Sequence, residues 1–191
     1  MQQDYRQAIA QPQGWRHLAW LGLLVAASVV STLGIACAVP FAAFGALAAL
    51  TLNRRDALLL TAVVWFANQL VGFTLLDYPW DAETFRWGVV LAGVALLSTV
   101  AAQLGVFRSG RNAITKAVIA LVAAFIAYEG GLFLLSTVWL GGTEDFAPAI
   151  VVRIAEINAA SFLALLLLHQ VGMAIGFAGH ATGAGWAQRH A

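Results

Sequence analysis

The sequence predicts an all-α integral membrane protein, a bundle of six transmembrane helices with its N-terminus and C-terminus in the cytoplasm. Three observations support this: the composition, the apolar runs and the charges between them. Of the 191 residues, 61% are hydrophobic and only 10% are charged, whereas a soluble domain carries about 25% charged residues. The net charge of +1 argues against nucleic acid as a partner and against a polybasic lipid-binding tail.

Six apolar runs use almost the whole chain. A membrane-spanning helix needs about 20 apolar residues, and all but the second run reach that length. We therefore expect a cytoplasmic tail (1–13), a six-helix membrane domain (14–178) and a second cytoplasmic tail (179–191). The runs cover residues 18–37, 39–52, 57–76, 86–107, 113–140 and 147–178.

Basic and acidic residues between the apolar runs fall on opposite sides of the predicted membrane. If the runs alternate across a membrane, eight of the ten Lys and Arg residues fall on one side, and acidic residues collect on the other. Because cytoplasmic loops retain Lys and Arg, both chain ends are expected inside. The basic set is Arg6, Arg16, Arg54, Arg55, Arg108, Arg111, Lys116 and Arg189, and the acidic set is Asp77, Asp81, Glu83, Glu144 and Asp145.

The first run follows a polar segment in which we expect the sequence Gln-Pro-Gln at 11–13 to break any helix. The run itself carries two pairs of small residues, Gly22/Ala26 and Ala27/Ser31. Small residues one turn apart let another helix backbone approach closely. These pairs pack either inside this chain or against a partner membrane protein.

The second run, which follows Pro40, is too short to cross a membrane alone. It is expected to be tilted, broken or partly re-entrant, and irregular backbone at membrane depth is tolerated only where it is buried or lines a cavity. The single cysteine, Cys37, precedes it and has no nearby base, so we expect a small apolar filler.

The third run carries two adjacent carboxamides, Asn68 and Gln69. A carboxamide in hydrocarbon costs free energy unless it finds a partner. The two residues therefore make an interhelical hydrogen bond or contact a ligand that enters from outside. Phe73 lies four residues beyond Gln69 and shares that helix face.

An aromatic loop follows at residues 77–81. Tyr78 and Trp80 lie in it, and Phe85 and Trp87 follow shortly afterwards. These rings either anchor the protein at the membrane interface or form a lid over a large flat ligand.

Charged residues inside the runs usually mark functional sites. Arg153 and Glu156, spaced i and i+3 in the sixth run, either pair with each other or reach a ligand. Glu129 and His169 are expected to be structural. The sequence contains no HExxH motif, no paired acidic motif and no Ser–His–Asp set, so we predict no catalytic residue, metal or cofactor.

This layout resembles the S-components of energy-coupling-factor vitamin transporters. Those proteins have six membrane helices, capture their substrate under the outer loops, and contact a membrane partner through small residues of their first helix. The resemblance implies that loops 36–40, 76–86 and 141–148 cover the substrate. It also implies that Gly22, Ala26, Ala27 and Ser31 face the partner.

Residues 68–73 (NQLVGF), followed by Asp77, Tyr78 and Pro79, look most like the stand-alone cobalamin-uptake branch of that family. Some members of that branch coordinate cobalt through a cysteine here, where this chain has Leu75, Leu76 and Asp77. The resemblance implies that cobalamin is a transported substrate rather than a cofactor. The implied substrate contacts are Asn68, Gln69, Phe73, Tyr78, Trp80, Trp87, Arg153 and Glu156.

Three functions follow from these patterns. The first is a vitamin-uptake protein of the bacterial inner membrane that binds its substrate from the outer face. The second is a membrane scaffold or assembly subunit of a larger complex. The third is an intramembrane enzyme acting on a lipid or quinone, with Glu129 or His169 in its site.

Overall fold

The computed structural model describes residues 2–35, 39–109, 112–141 and 143–176, and these form six α-helices and no β-strand. The predicted all-α class is thereby confirmed. Cys37, Arg111 and the predicted tail 179–191 lie outside the described residues. The helices are α1 (Gln2–Ile35), α2 (Phe41–Thr51), α3 (Arg54–Leu75), α4 (Ala82–Ser109), α5 (Ala113–Leu135) and α6 (Pro148–Ala174). A π-helical turn (Ser136–Leu140) continues α5, and a 3₁₀ turn (Thr143–Phe146) precedes α6.

Five of the described helices are long and apolar enough to cross a membrane, and α2 is not. Each helix overlaps one predicted apolar run. Which end of the bundle faces the cytoplasm stays a prediction from the charge pattern. The five long segments are Trp15–Gly34, Arg54–Leu75, Ala82–Ser109, Ala113–Trp139 and Pro148–Ala174.

The helix α1 begins well before its apolar run. The prediction that residues 11–13 break the helix is wrong, because α1 runs unbroken from Gln2. A proline inside a helix removes one hydrogen bond and costs about 3 kcal/mol. Extending an existing helix needs no new nucleus, and the Gln and Ala residues around Pro12 favour helix, so the helix continues through it.

The short helix α2 is the central helix, and it occupies only half of the bundle. With 11 residues against the 22 of α3, it is about 16 Å long. Residues 41–48 are all buried, because α3, α4, α5 and α6 surround them. Val39 and Pro40 are also buried, so the non-helical backbone before α2 is enclosed by protein.

Small residues let α4 lie close against α2. A Cβ atom on Gly45 would stand 2.8 Å from Thr99 Oγ1, which is closer than atoms pack, so a larger residue would push the helices apart. The same Thr99 hydroxyl lies 2.8 Å from Thr61 Oγ1 in a hydrogen bond between α4 and α3. We call the half of the bundle that contains α2 the filled half. The half beyond the N-terminus of α2, towards loop 77–81, is the open half.

A side chain from α6 completes the buried start of α2. Pro40 precedes the helix and offers no side-chain cap, so the first amides need other acceptors. Asn158 supplies one: its Oδ1 accepts from Ala43 N at 3.1 Å, and its Nδ2 donates to Ile154 O at 3.0 Å. Asn158 is 2% exposed, so this contact fixes α6 against α2 inside the bundle.

At the far end of the filled half, α1 is held between α3 and α6. His17 Nε2 lies 3.1 Å from Asp56 Oδ2 on α3. The Trp20 ring lies 5.5 Å from the His169 ring on α6. These contacts place His169 in a helix–helix contact, as expected of a structural histidine.

Candidate functional site

A cavity of about 110 Å³ lies in the open half, directly beyond the N-terminus of α2. It exists because α2 stops halfway, while α3, α4 and α5 continue past it. The segment before α2 provides one wall, and the three long helices and loop 77–81 provide the others. The lining residues are Val39, Phe41, Asn68, Gln69, Tyr78, Thr84, Trp87, Gly88, Leu91 and Tyr128.

Asn68 and Gln69, the carboxamide pair, differ in their contacts: Asn68 makes an interhelical hydrogen bond, whereas Gln69 faces the cavity. Asn68 is 5% exposed, and its Nδ2 donates to Thr32 Oγ1 on α1 at 3.4 Å. Its Oδ1 accepts from Gln69 Nε2 at 3.1 Å. Gln69 Oε1, by contrast, bonds to no described residue. Asn68 therefore joins helices and positions Gln69, while Gln69 keeps a free acceptor at the cavity.

Gly88 lets Gln69 lie flat against α4. A Cβ atom at Gly88 would be 2.6 Å from Gln69 Oε1, so any larger residue would displace that side chain. The Gly88 carbonyl accepts a hydrogen bond from Trp65 Nε1 at 2.8 Å. The contact between α3 and α4 is thus fixed at the level of the cavity.

Two further polar groups lie on the cavity wall. Trp87 was among the predicted residues. Tyr128 was not, although its position beside Glu129 in the middle of an apolar run was a usable signal. The ring of Tyr128 lies 6.0 Å from that of Phe41. Neither the Tyr128 hydroxyl nor the Trp87 indole N–H bonds to another described residue.

The chain reverses tightly after α3 and brings Tyr78 back to the cavity. Asp77 has a φ of 53°, a left-handed conformation that ends helices and that Asp tolerates better than most residues. Tyr78 N then donates to Gly72 O at 3.1 Å. The Tyr78 ring lies on Gly72 so closely that a Cβ there would overlap it.

An aromatic cluster, Phe73, Tyr78, Trp80 and Phe85, lies at the loop. The Phe73 ring is its centre, 6.1 Å from Tyr78, 4.8 Å from Trp80 and 5.1 Å from Phe85. Trp80 is 75% exposed, whereas Tyr78 reaches the cavity. The predicted residues Phe73 and Trp80 therefore support the loop rather than line the cavity.

Asp81 ties the end of this loop to α4. Its Oδ1 accepts from Thr84 N at 2.8 Å, the position of an N-terminal cap. The backbone hydrogen bond from Thr84, and then the Thr84 side chain, lower the pKa of Asp81. The carboxylate is therefore the form that holds the loop.

The helix α6 turns Arg153 and Glu156 away from the cavity. Both are exposed, whereas Asn158 faces the interior. At about 100° per residue, Glu156 lies about 160° around the helix from Asn158. The structure thus does not bring Arg153 to Asn68 and Tyr78, because helix rotation is set by the buried residues of α6.

Glu129 is buried beside Tyr128, and its Oε1 has no hydrogen-bond partner among the described residues. It does not line the cavity. The described part of the chain contains no group of three or more His, Cys, Asp or Glu residues that could hold a metal ion.

The small residues of α1 do not share one free face. Gly22 and Ala26 are exposed, and a Cβ on Gly22 would meet nothing within 4 Å. Ala27 packs against the core, and Ser31 Oγ donates back to Ala27 O at 2.9 Å. Only the first pair is open to a partner helix.

No protein family, curated protein or solved structure matches this chain. The described residues form an all-helical bundle with five helices of membrane-crossing length, and the cavity between them has both polar and apolar lining residues.

Proposed function

We propose that this protein is a membrane uptake protein that binds a small vitamin-like molecule from the outer face of a bacterial inner membrane and carries it across. The observation that carries the proposal is the cavity beyond α2. Polar side chains at membrane depth cost free energy and usually serve a function. Gln69, Trp87 and Tyr128 place three unengaged polar groups in one cavity, which helix packing alone does not require.

The position of loop 77–81 supports entry of the ligand from outside the cell. The charge pattern predicts that loop 77–81 faces the exterior, and Tyr78 lines the cavity at that end. The loop and the aromatic cluster act as a lid, since loop closure excludes water from a bound ligand. Asp77 and Asp81 stand at the ends of the lid, where its backbone turns.

Cobalamin, the substrate that the resemblance implies, needs a rearrangement of this lid. Sites for drug-sized ligands enclose about 300–1,000 Å³, and the cavity holds about 110 Å³. A corrin ring enters only after Tyr78 and its neighbours leave. Cobalamin binding therefore requires an opened loop, whereas a smaller molecule fits beneath the closed one.

Ligand binding to the purified full-length protein tests this function. Thermal unfolding in detergent is measured with cyanocobalamin, riboflavin, thiamine, biotin and nicotinamide. We expect one compound to raise the melting temperature of the wild type and of Gly93→Ala but not of Gly88→Ala. Both variants add one methyl group to α4, but only Gly88 touches Gln69, whereas Gly93 has open space around it.

The proposal fails if no compound stabilises the wild type, or if Gly88→Ala and Gly93→Ala respond alike. Melting without ligand controls for folding, since both variants must unfold cooperatively before their ligand responses are compared.

A second candidate, a subunit of a larger membrane assembly, is favoured by the exposed pair Gly22 and Ala26. We expect Gly22→Ile to lose a partner, because Gly22 belongs to this pair, and Gly130→Ile to retain it. Gly130 is the matched control, since both glycines are exposed with open space around them. Stoichiometric copurification from native membranes measures this. Equal retention by both variants would remove α1 as the contact.

A further inference from the structure

We infer that the cavity selects an uncharged ring compound bearing a hydrogen-bond donor beside an acceptor, as in an aromatic or cyclic carboxamide. This inference rests on the proposed function, because it names the ligand class of the same cavity.

The walls of the cavity exclude a charge. None of its ten lining residues is charged, and a charge moved there from water loses hydration without gaining a counter-ion. Arg86 is the chain neighbour of Trp87, but its guanidinium lies 5.9 Å from the Trp139 ring. Glu129 is the chain neighbour of Tyr128 and does not line the cavity. An ionic ligand therefore meets dipoles only.

The unengaged groups define the ligand's hydrogen bonds. Gln69 Oε1 accepts, the Trp87 indole N–H donates, and the Tyr128 hydroxyl does either. A ligand that displaces water from these groups must replace those bonds, because a polar group left unsatisfied costs free energy. A carboxamide offers an N–H for Gln69 and a carbonyl for Trp87 in one planar unit.

The size and the walls favour a single ring. A volume of about 110 Å³ is well below the range for drug-sized ligands, about 300–1,000 Å³. Phe41, Tyr78 and Trp87 contribute aromatic walls, and aromatic side chains pack well against flat rings.

Three probes with one skeleton test the charge preference. Benzamide, benzoate and benzylamine are neutral, anionic and cationic at pH 7 and have nearly the same size. Saturation-transfer NMR is recorded on the full-length protein in detergent micelles, with empty micelles as the blank. We expect benzamide to bind at least about tenfold more tightly than either ion.

Variants of the cavity establish where the probe binds. Gln69→Met keeps the length of the side chain and removes the acceptor, so benzamide affinity should fall about tenfold. Tyr128→Phe removes a hydroxyl from another wall of the cavity and should lower benzamide affinity a few-fold. Gln103→Met is the matched control: Gln103 also lies on a long helix, but its Nε2 bonds to Arg54 O, and it is not part of the cavity.

The outcomes separate the two proposals. If benzoate or benzylamine binds more tightly than benzamide, and this binding is lost in Gln69→Met, the ligand class is overturned and the binding function stands. If no probe binds in a manner that depends on Gln69 or Tyr128, the ligand class is overturned. If, in addition, no vitamin binds in a manner that depends on Gly88, the proposed function falls with it.

Discussion

The filled half and the open half of the bundle are built from the same long helices but enclose different things. In the filled half, residues 41–48 of α2 are buried on every side, and the contact at Gly45 leaves no space for a Cβ. In the open half, three of the neighbours of α2 (α3, α4 and α5) line a cavity with unengaged polar groups. The comparison shows that ending one central helix early creates a cavity without any added domain. We expect stability to depend mainly on the filled half and ligand binding mainly on the open half.

The largest effect should come from the core of the filled half. Phe44→Ala removes a side chain that is 1% exposed and should lower the free energy of unfolding by about 3–5 kcal/mol. Phe85→Ala, the matched change in the open half, removes a side chain that is 49% exposed and should cost about 1 kcal/mol. Unfolding in mixed micelles, followed by tryptophan fluorescence, gives both values. Equal losses would contradict the division between the halves.

The next effect should come from the boundary between the halves. Asn158→Ala leaves the buried Ala43 amide without its acceptor and should cost about 1–3 kcal/mol. Faster hydrogen exchange of the Ala43 amide should accompany the loss. Asn112→Ala is the control, because Asn112 caps α5 through Thr115 at an exposed position, where about 1 kcal/mol is typical. An unchanged exchange rate of the Ala43 amide would show that other contacts hold the N-terminus of α2.

A smaller effect on stability, with a clear effect on the site, is expected at Gly72. Gly72→Ala pushes the Tyr78 ring away, and this half-buried ring can swing outward, so the free energy of unfolding should fall by about 1 kcal/mol. Cleavage of loop 77–81 by chymotrypsin should become about fivefold faster, because cleavage follows the population of the open loop. Gly93→Ala, which meets open space, should cleave at the wild-type rate. A closed, protected loop in Gly72→Ala would mean that Tyr78 is not the lid.

The smallest effect is a pH dependence at the end of the lid. Asp81 has a lowered pKa in the folded protein, so its contribution is complete above its unfolded pKa, about 3.9, and is lost as pH falls through the lowered value. The protection of the Thr84 amide, taken relative to its intrinsic exchange rate at the same pH, should therefore fall in acid. Asp81→Asn retains an acceptor that does not titrate, so the protection of the Thr84 amide in this variant should lack that fall. The same acid response in both proteins would assign it to other carboxylates.

The helices could be predicted from the sequence because their positions depend on local quantities. Apolar length placed all six, and it also identified α2 as too short to cross alone. Pro12 illustrates the limit, since the Gln-Pro-Gln sequence predicted a break where the helix continued. A run of hydrophobic residues reports burial in the membrane, but it does not report where a helix begins.

The site could be predicted only in part, because cavity lining depends on helix rotation. Asn68 and Gln69 were identifiable, since carboxamides are costly in hydrocarbon. Arg153 is exposed and does not line this cavity, and no local pattern in the sequence fixes which face of α6 turns inward. Tyr128 was missed because a tyrosine in an apolar run fits the interior, the lipid surface or a cavity, and only the neighbouring Glu129 favoured the interior.

The bond between Asn158 and Ala43 joins residues 115 positions apart, and this has a consequence for biogenesis. The α2 segment leaves the ribosome early, yet it is too short to be held in the bilayer as an ordinary span. The residue that satisfies its first turn is synthesised only with the last helix. We expect α2 to settle into the membrane late, after α6 has inserted. Chains truncated before residue 148 should then leave a tag in the α2 segment open to water-soluble reagents, and full-length chains should protect it.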